Sequence, residues 1–320
     1  MFWLFDIRPA VRSDKKSGIQ NSLEKKEWLS YDGENMKELL HFESPAKVNL
    51  RLEILRKRED GYHEIKTILQ KISLQDTLYF SLRKGKGVSI KADSPNLPTG
   101  KANLVYKAVR SMMIESGYRG GIRVDIKKRI PLGAGLGGGS SNAATTLKAM
   151  NELLNLNVSK KRLMEMGLEI GADVPFFFLE GAAVGSGIGE RLRKVELPVL
   201  WFVLIYPNFE VSTRWAYQNF VLTNQRIHFN LQKFTKTPEG ISRIFLNHLE
   251  EVVSKKYPQI ENMKKILCSA GALAALMSGS GPTVFGIFSD EQSSTEAYGK
   301  IKGLVKRRGW IVFKAKSITA

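Results

Sequence analysis

Cysteine is almost missing from this chain of 320 residues: Cys268 stands alone. No internal disulfide can form, and a reducing, cytoplasmic setting is expected. Long apolar runs are missing too. The longest, Pro198 to Tyr206, falls far short of the ~20 residues that a membrane span needs, so no membrane partner is expected. The opening Met-Phe-Trp-Leu-Phe is too short for the core of a secretory signal, and no small-residue cleavage site follows it. Acidic residues are in deficit, 31 against 49 Lys and Arg, which leaves a net charge of +18. That sign suits a polyanion, whether nucleic acid, an acidic membrane or a phosphorylated small molecule. Beyond the short cluster Lys306, Arg307 and Arg308 there is no long basic tract. A basic enzyme acting on nucleotides is a sufficient explanation.

Glycine, by contrast, is concentrated. Pro131 to Ser141 reads P-L-G-A-G-L-G-G-G-S-S, with Gly133, Gly135, Gly137, Gly138 and Gly139 inside seven residues. The following N-A-A-T-T-L-K-A-M-N-E-L-L repeats apolar residues at helical spacing. A glycine turn that opens a helix presents unpaired N–H groups at the positive end of the helix dipole, a site for an anion and most often for phosphate. The P-loop pattern requires a Lys after its last Gly, and Ser140 stands there instead. The dinucleotide fingerprint G-x-G-x-x-G fits Gly133, Gly135 and Gly138, but its acidic partner ~20 residues on is absent near Asn157 to Lys161.

The length suits two domains. Residues 1–36 lack a sustained apolar face and are expected to be a weakly ordered extension. From His41 onward the pattern is regular. Strands are expected at Lys47 to Leu55, His63 to Leu69, Thr77 to Leu82 and Ile122 to Ile126, with a loop from Lys91 to Lys101 and a helix capped by Asn103. A further helix runs from Ser159 to Glu169 and stops at Gly171. In the last third, strands fall at Leu200 to Tyr206, Ala274 to Met277, Thr283 to Phe288 and Trp310 to Lys314. Helices follow Thr213 and fall at Ile241 to Val253, Gln259 to Cys268 and Glu291 to Lys306. Merging the helices before residue 270 gives β-α-β-β-α-β, the split ferredoxin-like order. The fold class is α+β, with domains at 37–198 and 199–320.

Four more segments carry chemistry. In S-P-A-K-V-N-L, strand alternation puts Lys47 and Asn49 on one face and Ala46, Val48 and Leu50 on the other. In G-A-D-V-P-F-F-F, Asp173 faces a wall of phenylalanines, where desolvation works against its charge and a nearby ammonium would hold it ionised. In D-G-Y-H, a turn presents Tyr62 and His63, suited to stacking on a ring and bonding its edge. In L-M-S-G-S-G-P-T-V-F, a second small-residue turn lies between two strands. Taken singly, each has a plain structural reading.

Together they resemble the GHMP kinases. P-A-K-V-N-L is similar to that family's first motif, P-L-G-A-G-L-G-G-G-S-S-N-A-A to its ATP loop, and G-A-D-V-P-F-F and S-G-S-G-P-T-V-F to its remaining motifs. D-G-Y-H-E-I, with Leu69, Gln70 and Asp76 to Leu78, points to the branch acting on a cytidylyl-methylerythritol alcohol in non-mevalonate isoprenoid synthesis. N-H-L-E at Asn247 to Glu250 departs from the usual N-D-x-E. The resemblance covers the chain from about residue 41 onward. It implies a ribosomal-protein-S5-domain-2-like N-terminal domain and a ferredoxin-like C-terminal domain. It also implies ATP as co-substrate, Mg²⁺ with it, and no nucleic-acid partner. Pro131, Leu132, Gly133, Ala134, Gly135, Leu136, Gly137, Gly138, Gly139, Ser140 and Ser141 would hold the ATP phosphates, with Asn103 and Lys128 near the adenosine. Asp173 would be the general base and Lys47 its charge partner. Tyr62 and Tyr217 would hold the cytosine between them, His63 its edge, Asn49 the erythritol end and Thr213 a polar part of the substrate. A mevalonate- or homoserine-type kinase, a nucleic-acid-binding protein and a dinucleotide oxidoreductase remain as alternatives.

Overall fold

The computed structural model of the chain describes residues 25–26, 39–222 and 236–319. Apart from Lys25 and Lys26, the expected N-terminal extension lies outside the described residues. Those two form β1 (Lys25–Lys26), antiparallel to the start of β2 (Leu40–Lys57). Then come β3 (His63–Arg83), β4 (Gly87–Ala92), α1 (Leu104–Ser116), β5 (Gly121–Lys127), α2 (Gly138–Leu153) and α3 (Lys160–Ile170). A 3₁₀ turn (Val174–Phe178), β6 (Ala182–Gly187) and β7 (Arg191–Val195) follow.

The expected pair of strands between His63 and Leu82 is one strand. β3 absorbs the break itself while β2 runs on alongside: Pro45 lies opposite Gln75 while Ala46 lies opposite Ile72, so a bulge at Ser73 and Leu74 lets pairing continue. The length of β3 matters. Its first half, Ile65 to Gln70, pairs with β6, and its second half, Thr77 to Arg83, pairs with β5. One strand thus ties the helix-covered layer to the segment that follows the 3₁₀ turn. The reading of Lys91 to Lys101 as loop holds only beyond Ala92, where β4 ends. Two short strands, β6 and β7, carry little apolar alternation and were not expected.

The second half contains β8 (Trp201–Tyr206), α4 (Thr213–Gln218), α5 (Pro238–Ser242), β9 (Leu246–Asn247), α6 (His248–Lys256) and α7 (Gln259–Ser269). It closes with β10 (Ala274–Met277), β11 (Val284–Phe288), α8 (Glu291–Lys306) and β12 (Ile311–Lys316). The sheet order β10-β11-β8-β12, all antiparallel, is the ferredoxin-like arrangement. The single helix expected from Ile241 to Val253 is broken. Leu246 and Asn247 leave the helical path to pair in parallel with Arg51 and Leu52, and the Asn247 side chain accepts the Leu249 N–H to start α6 afresh.

Two apolar clusters span both sheets. Ala46, Val48 and Leu50 of β2 pack with Phe202, Leu204 and Phe285. Leu52, Ile54 and Ile65 pack with Val203, Ile205 and Phe288. A third cluster fills the space between the first sheet and α1, α2 and α3. With both faces covered, β2 is buried almost without interruption from Ala46 to Ile54.

Candidate active site

The glycine loop leaves β5 through Lys128 to Ile130, and one carboxylate fixes that approach. Asp76 is fully buried. It accepts the N–H groups of Arg129 and Ile130, both at 2.8 Å, the Lys128 ammonium at 2.7 Å and the Asn142 amide at 3.0 Å. Burial pushes the Lys128 ammonium below its ordinary pKa, and the Asp76 charge opposes that. Four donors on one acidic group hold both the entry to the loop and the helix that leaves it.

Within the loop, Gly135 and Gly137 take positive φ, 75° and 69°. Space is short as well. A Cβ on Gly135 would lie 2.2 Å from the Ser278 carbonyl oxygen, and one on Gly137 would lie 2.9 Å from Cγ of Lys47. The glycines therefore answer to protein neighbours as much as to any ligand. The first helical bond runs from the Ser141 N–H to the Gly137 carbonyl at 2.9 Å. The amides of Gly138, Gly139 and Ser140 precede that bond and have no acceptor within the helix, which leaves an anion-binding end.

The loop meets Lys47 directly. The Lys47 backbone N–H donates to the Leu136 carbonyl at 2.9 Å. Its buried ammonium donates to Asn49 Oδ1 at 2.6 Å and lies 3.6 Å from Asp173 Oδ2. Asn49 in turn donates to Thr67 Oγ1 at 2.9 Å, and Thr67 to the Arg51 carbonyl at 2.7 Å, so the Asn49 amide orientation is fixed. The Asp173 side chain is 42% exposed and faces the cavity. A half-open carboxylate beside a sheltered ammonium, next to a glycine turn, can take a proton from a bound alcohol.

The second small-residue turn closes the other wall. Ser278 Oγ donates to the Gly135 carbonyl at 2.9 Å, and a Cβ on Gly279 would lie 3.4 Å from the Lys47 ammonium nitrogen. Asn247 holds this turn by donating to the carbonyls of Met277 and Gly279, both at 2.8 Å, and Glu250 accepts the Met277 N–H at 2.7 Å. The N-H-L-E segment thus supports the site from behind. Its His248 accepts the Ile54 N–H at 3.0 Å and stacks on Phe220, another cavity residue.

All of this surrounds one cavity of about 1050 Å³. Lys47, Asn49, Tyr62, His63, Lys128, Pro131 to Ser140, Asp173, Thr213 and Tyr217 line it. Two expected residues do not. Asn103 spends its side chain on the Val105 N–H and the Pro98 carbonyl. Ser141 is buried and accepts a bond from the Ser44 hydroxyl at 2.8 Å. Asn103 caps α1 and Ser141 sits in the first turn of α2, and both side chains turn toward protein partners. Lys128 reaches the cavity, yet its ammonium is committed to Asp76 and to the Ile130 carbonyl.

At the far end, Tyr62 is 60% exposed. Tyr217 lies against His63, ring centroids 5.3 Å apart and planes 29° apart. Burial, then the Lys57 charge, pushes His63 below its ordinary pKa, which favours the neutral ring at pH 7. Burial, then the Asp173 charge, keeps the Tyr217 hydroxyl protonated. Thr213 shares a hydrogen bond of 2.9 Å with Ser280. Asp76, Ser278, Gly279 and Asn247 had no assigned role in the sequence, although all four lie in segments already singled out.

The comparisons fit this geometry. The profile of the GHMP kinases N terminal domain matches residues 103–181, and that of the GHMP kinases C terminal domain matches residues 236–306. A 4-diphosphocytidyl-2-C-methyl-D-erythritol kinase of Syntrophus aciditrophicus (strain SB) is 46% identical over 283 residues, 88% of this chain and 100% of the relative. One of Geobacter sulfurreducens is 41% identical over 280 residues, 87% of this chain and 99% of the relative. A crystal structure of 4-(cytidine 5'-diphospho)-2C-methyl-D-erythritol kinase superposes with a TM-score of 0.75 at 30% identity, covering 88% of this chain and 100% of that one. A homoserine kinase from Cytophaga hutchinsonii, at 22% identity and a TM-score of 0.67, shares the fold. The chain belongs to the GHMP kinases and, within them, to the 4-diphosphocytidyl-2-C-methyl-D-erythritol kinases.

Proposed function

We propose that the protein transfers the γ-phosphoryl group of ATP to the 2-hydroxyl of 4-diphosphocytidyl-2-C-methyl-D-erythritol, giving the 2-phosphate and ADP. One observation carries the chemical part of this reading: the Asp173 carboxylate and the Lys47 ammonium lie 3.6 Å apart beside the open amides of the glycine loop. Phosphoryl transfer asks a protein mainly for positioning and charge stabilisation. Amides of Gly138, Gly139 and Ser140 hold phosphate oxygens. Asp173 accepts the hydroxyl proton as the alcohol oxygen attacks phosphorus. Lys47 pairs with Asp173 at 3.6 Å and shares the negative charge that builds on the transferring group. Asn49, fixed through Thr67, orients the erythritol end. Tyr62, His63 and Tyr217 recognise the cytosine, with the neutral His63 ring able both to donate and to accept along the base edge.

Among the described residues there is no group of three or more His, Cys, Asp or Glu placed to hold a metal. The cavity does carry oxygen donors in Asp173 and Ser140. That set suits Mg²⁺, which keeps waters and substrate phosphates as most of its ligands. Once bound, it would neutralise phosphate charge. No helix among the described residues is long and apolar enough to cross a membrane, and the reading is of a cytoplasmic enzyme of small molecules.

The test is ADP release from Mg-ATP with the cytidylyl substrate, mevalonate or homoserine as acceptor, the product phosphate being located by ³¹P NMR. Turnover confined to the cytidylyl alcohol is expected. Equal turnover with mevalonate or homoserine would reassign the substrate, and no turnover with any of them would remove the reading.

A further inference from the structure

Two lysines outside the cavity are placed in an unusual way. Lys71 of β3 lies directly opposite Lys47 of β2 in the antiparallel register. Cross-strand partners point to the same side of a sheet, so both side chains rise toward the segment that carries Asp173. Lys47 reaches Asp173, at the start of the 3₁₀ turn. Lys71 reaches the other end, where its ammonium donates to the Phe177 carbonyl at 3.1 Å and to the Leu179 carbonyl. Lys148 of α2 donates to the same Phe177 carbonyl at 2.8 Å. No carboxylate pairs with Lys71 or Lys148 among the described residues.

Such an arrangement is costly unless it does something. Burial pushes Lys71 down to about 7, helped by the Lys148 charge, against the pull of Glu180. Burial and the Lys160 charge push Lys148 down to about 8, again against Glu180. An apolar side chain at either position would avoid that penalty. What the ammonium groups supply is donors for carbonyls that a short helix leaves open at its C-terminal end, where positive charge is favoured. Stacking adds to the grip: Lys71 lies 5.7 Å from the Phe176 ring centroid and Lys148 lies 5.1 Å from that of Phe178.

We propose that Lys71 and Lys148 are positioning residues for phosphoryl transfer: they anchor the C-terminal end of the Val174–Phe178 turn and so hold Asp173, at its other end, in register with Lys47. The inference rests on the assignment of Asp173 as base. It adds a division of labour between opposed lysines, one acting on the carboxylate and one on the backbone that presents it. The glycine loop has anchors of its own in Asp76 and Ser278, so the clamp is expected to act on Asp173 more than on nucleotide binding.

The experiment uses the full chain with Lys71→Met, Lys148→Met and Asp173→Asn. Folded protein is counted by circular dichroism and by titration with a fluorescent ATP analogue. Lys71→Met is expected to lower kcat at least ~10-fold, as a misplaced catalytic group does, with the KM for ATP changed less than about twofold, a margin within which ATP binding counts as intact. Lys148→Met, at a half-buried site, is expected to lower kcat by a smaller factor in the same pattern. In the Asp173→Asn background, Lys71→Met is expected to add nothing, because residues acting as one unit are not additive. A kcat within twofold of wild type for Lys71→Met would overturn the proposal, as would losses shared equally between kcat and ATP affinity. If Lys71→Met does not fold, Lys148→Met decides by the same criteria. Should Asp173→Asn remain active, the assignment of the base falls. Should Asp173→Asn be dead and both lysine variants normal, only the clamp falls.

Discussion

The two ends of the cavity are built differently. At the end proposed for ATP, the elements are tied by buried or half-buried bonds: Asp76 gathers four donors, Ser278 bonds Gly135, and Asn247 bonds the carbonyls on either side of Ser278. At the end proposed for the cytidine, the Arg58 to His63 hairpin is held by exposed contacts, among them the Arg58–Asp60 ion pair at 2.7 Å and the Tyr62 N–H on Asp60 at 3.1 Å. Exposed pairs of this sort contribute little. The contrast is rigid where charge must be met and loosely framed where a flat base is to be read. Electrostatic catalysis needs groups fixed in advance; stacking tolerates adjustment because a ring offers a whole face.

Four measurements break or sharpen that contrast, in descending order of effect. At the centre, Asp173→Asn is expected to lower kcat by ~10³-fold or more with both KM values nearly unchanged; kcat within tenfold of wild type in a steady-state assay would remove Asp173 as base. At the rigid end, Asp76→Asn leaves the buried Lys128 ammonium without its counter-charge. It is expected to cost about 3 kcal/mol in urea unfolding and to raise the KM for ATP more than that for the alcohol. At the loose end, Tyr62→Ala is expected to weaken the cytidylyl substrate by about 1–2 kcal/mol, the scale of one base stack, with no change in melting temperature and none in ATP affinity. Equal losses for both ligands, measured by calorimetry, would erase the distinction between the ends.

The smallest effect, read as a slope per pH unit, is a pH dependence. In the folded protein Lys71 sits at about 7 and Lys148 at about 8, against an ordinary 10.5. Below about pH 7 both states bind these protons alike and the slope from this source vanishes. Between about pH 7 and 10 the unfolded chain holds protons that the folded one has released, so stability rises with pH, by up to about 1.4 kcal/mol per pH unit for each lysine. Urea titrations of Lys71→Met are expected to show a shallower rise than wild type over that window. Identical slopes would mean that Lys71 is protonated normally in the fold.

Much of this was legible in the sequence because it follows from local rules. The Asn103 cap, the glycine turn opening α2, the alternation around Lys47 and Asn49, and the ferredoxin-like order all depend on neighbours a few residues apart. What was not legible depends on distant partners. The bulge that fuses two expected strands into β3 exists because β2 runs alongside it. The helix expected across Leu246 and Asn247 yields to pairing with Arg51 and Leu52, a contact nearly 200 positions away in the chain. Ser141 looked like a phosphate ligand because it follows the glycines, yet its place in the first turn of α2 aims it at Ser44 instead. Asp76 was visible as part of a motif, while its work, holding Lys128 and the loop entry, appears only once Asp76 and residues 128–130 are seen side by side.

Leu50 and Phe285 belong to one apolar interior although they come from different sheets. A clamshell needs a seam into which water can pass; this protein has filled that seam with side chains that are fully buried. Swinging the sheets apart would wet each of them, at roughly 1.5–3 kcal/mol apiece. Substrates must therefore come and go without that seam opening, and a covalent staple between the sheets, set away from the cavity, should leave turnover untouched.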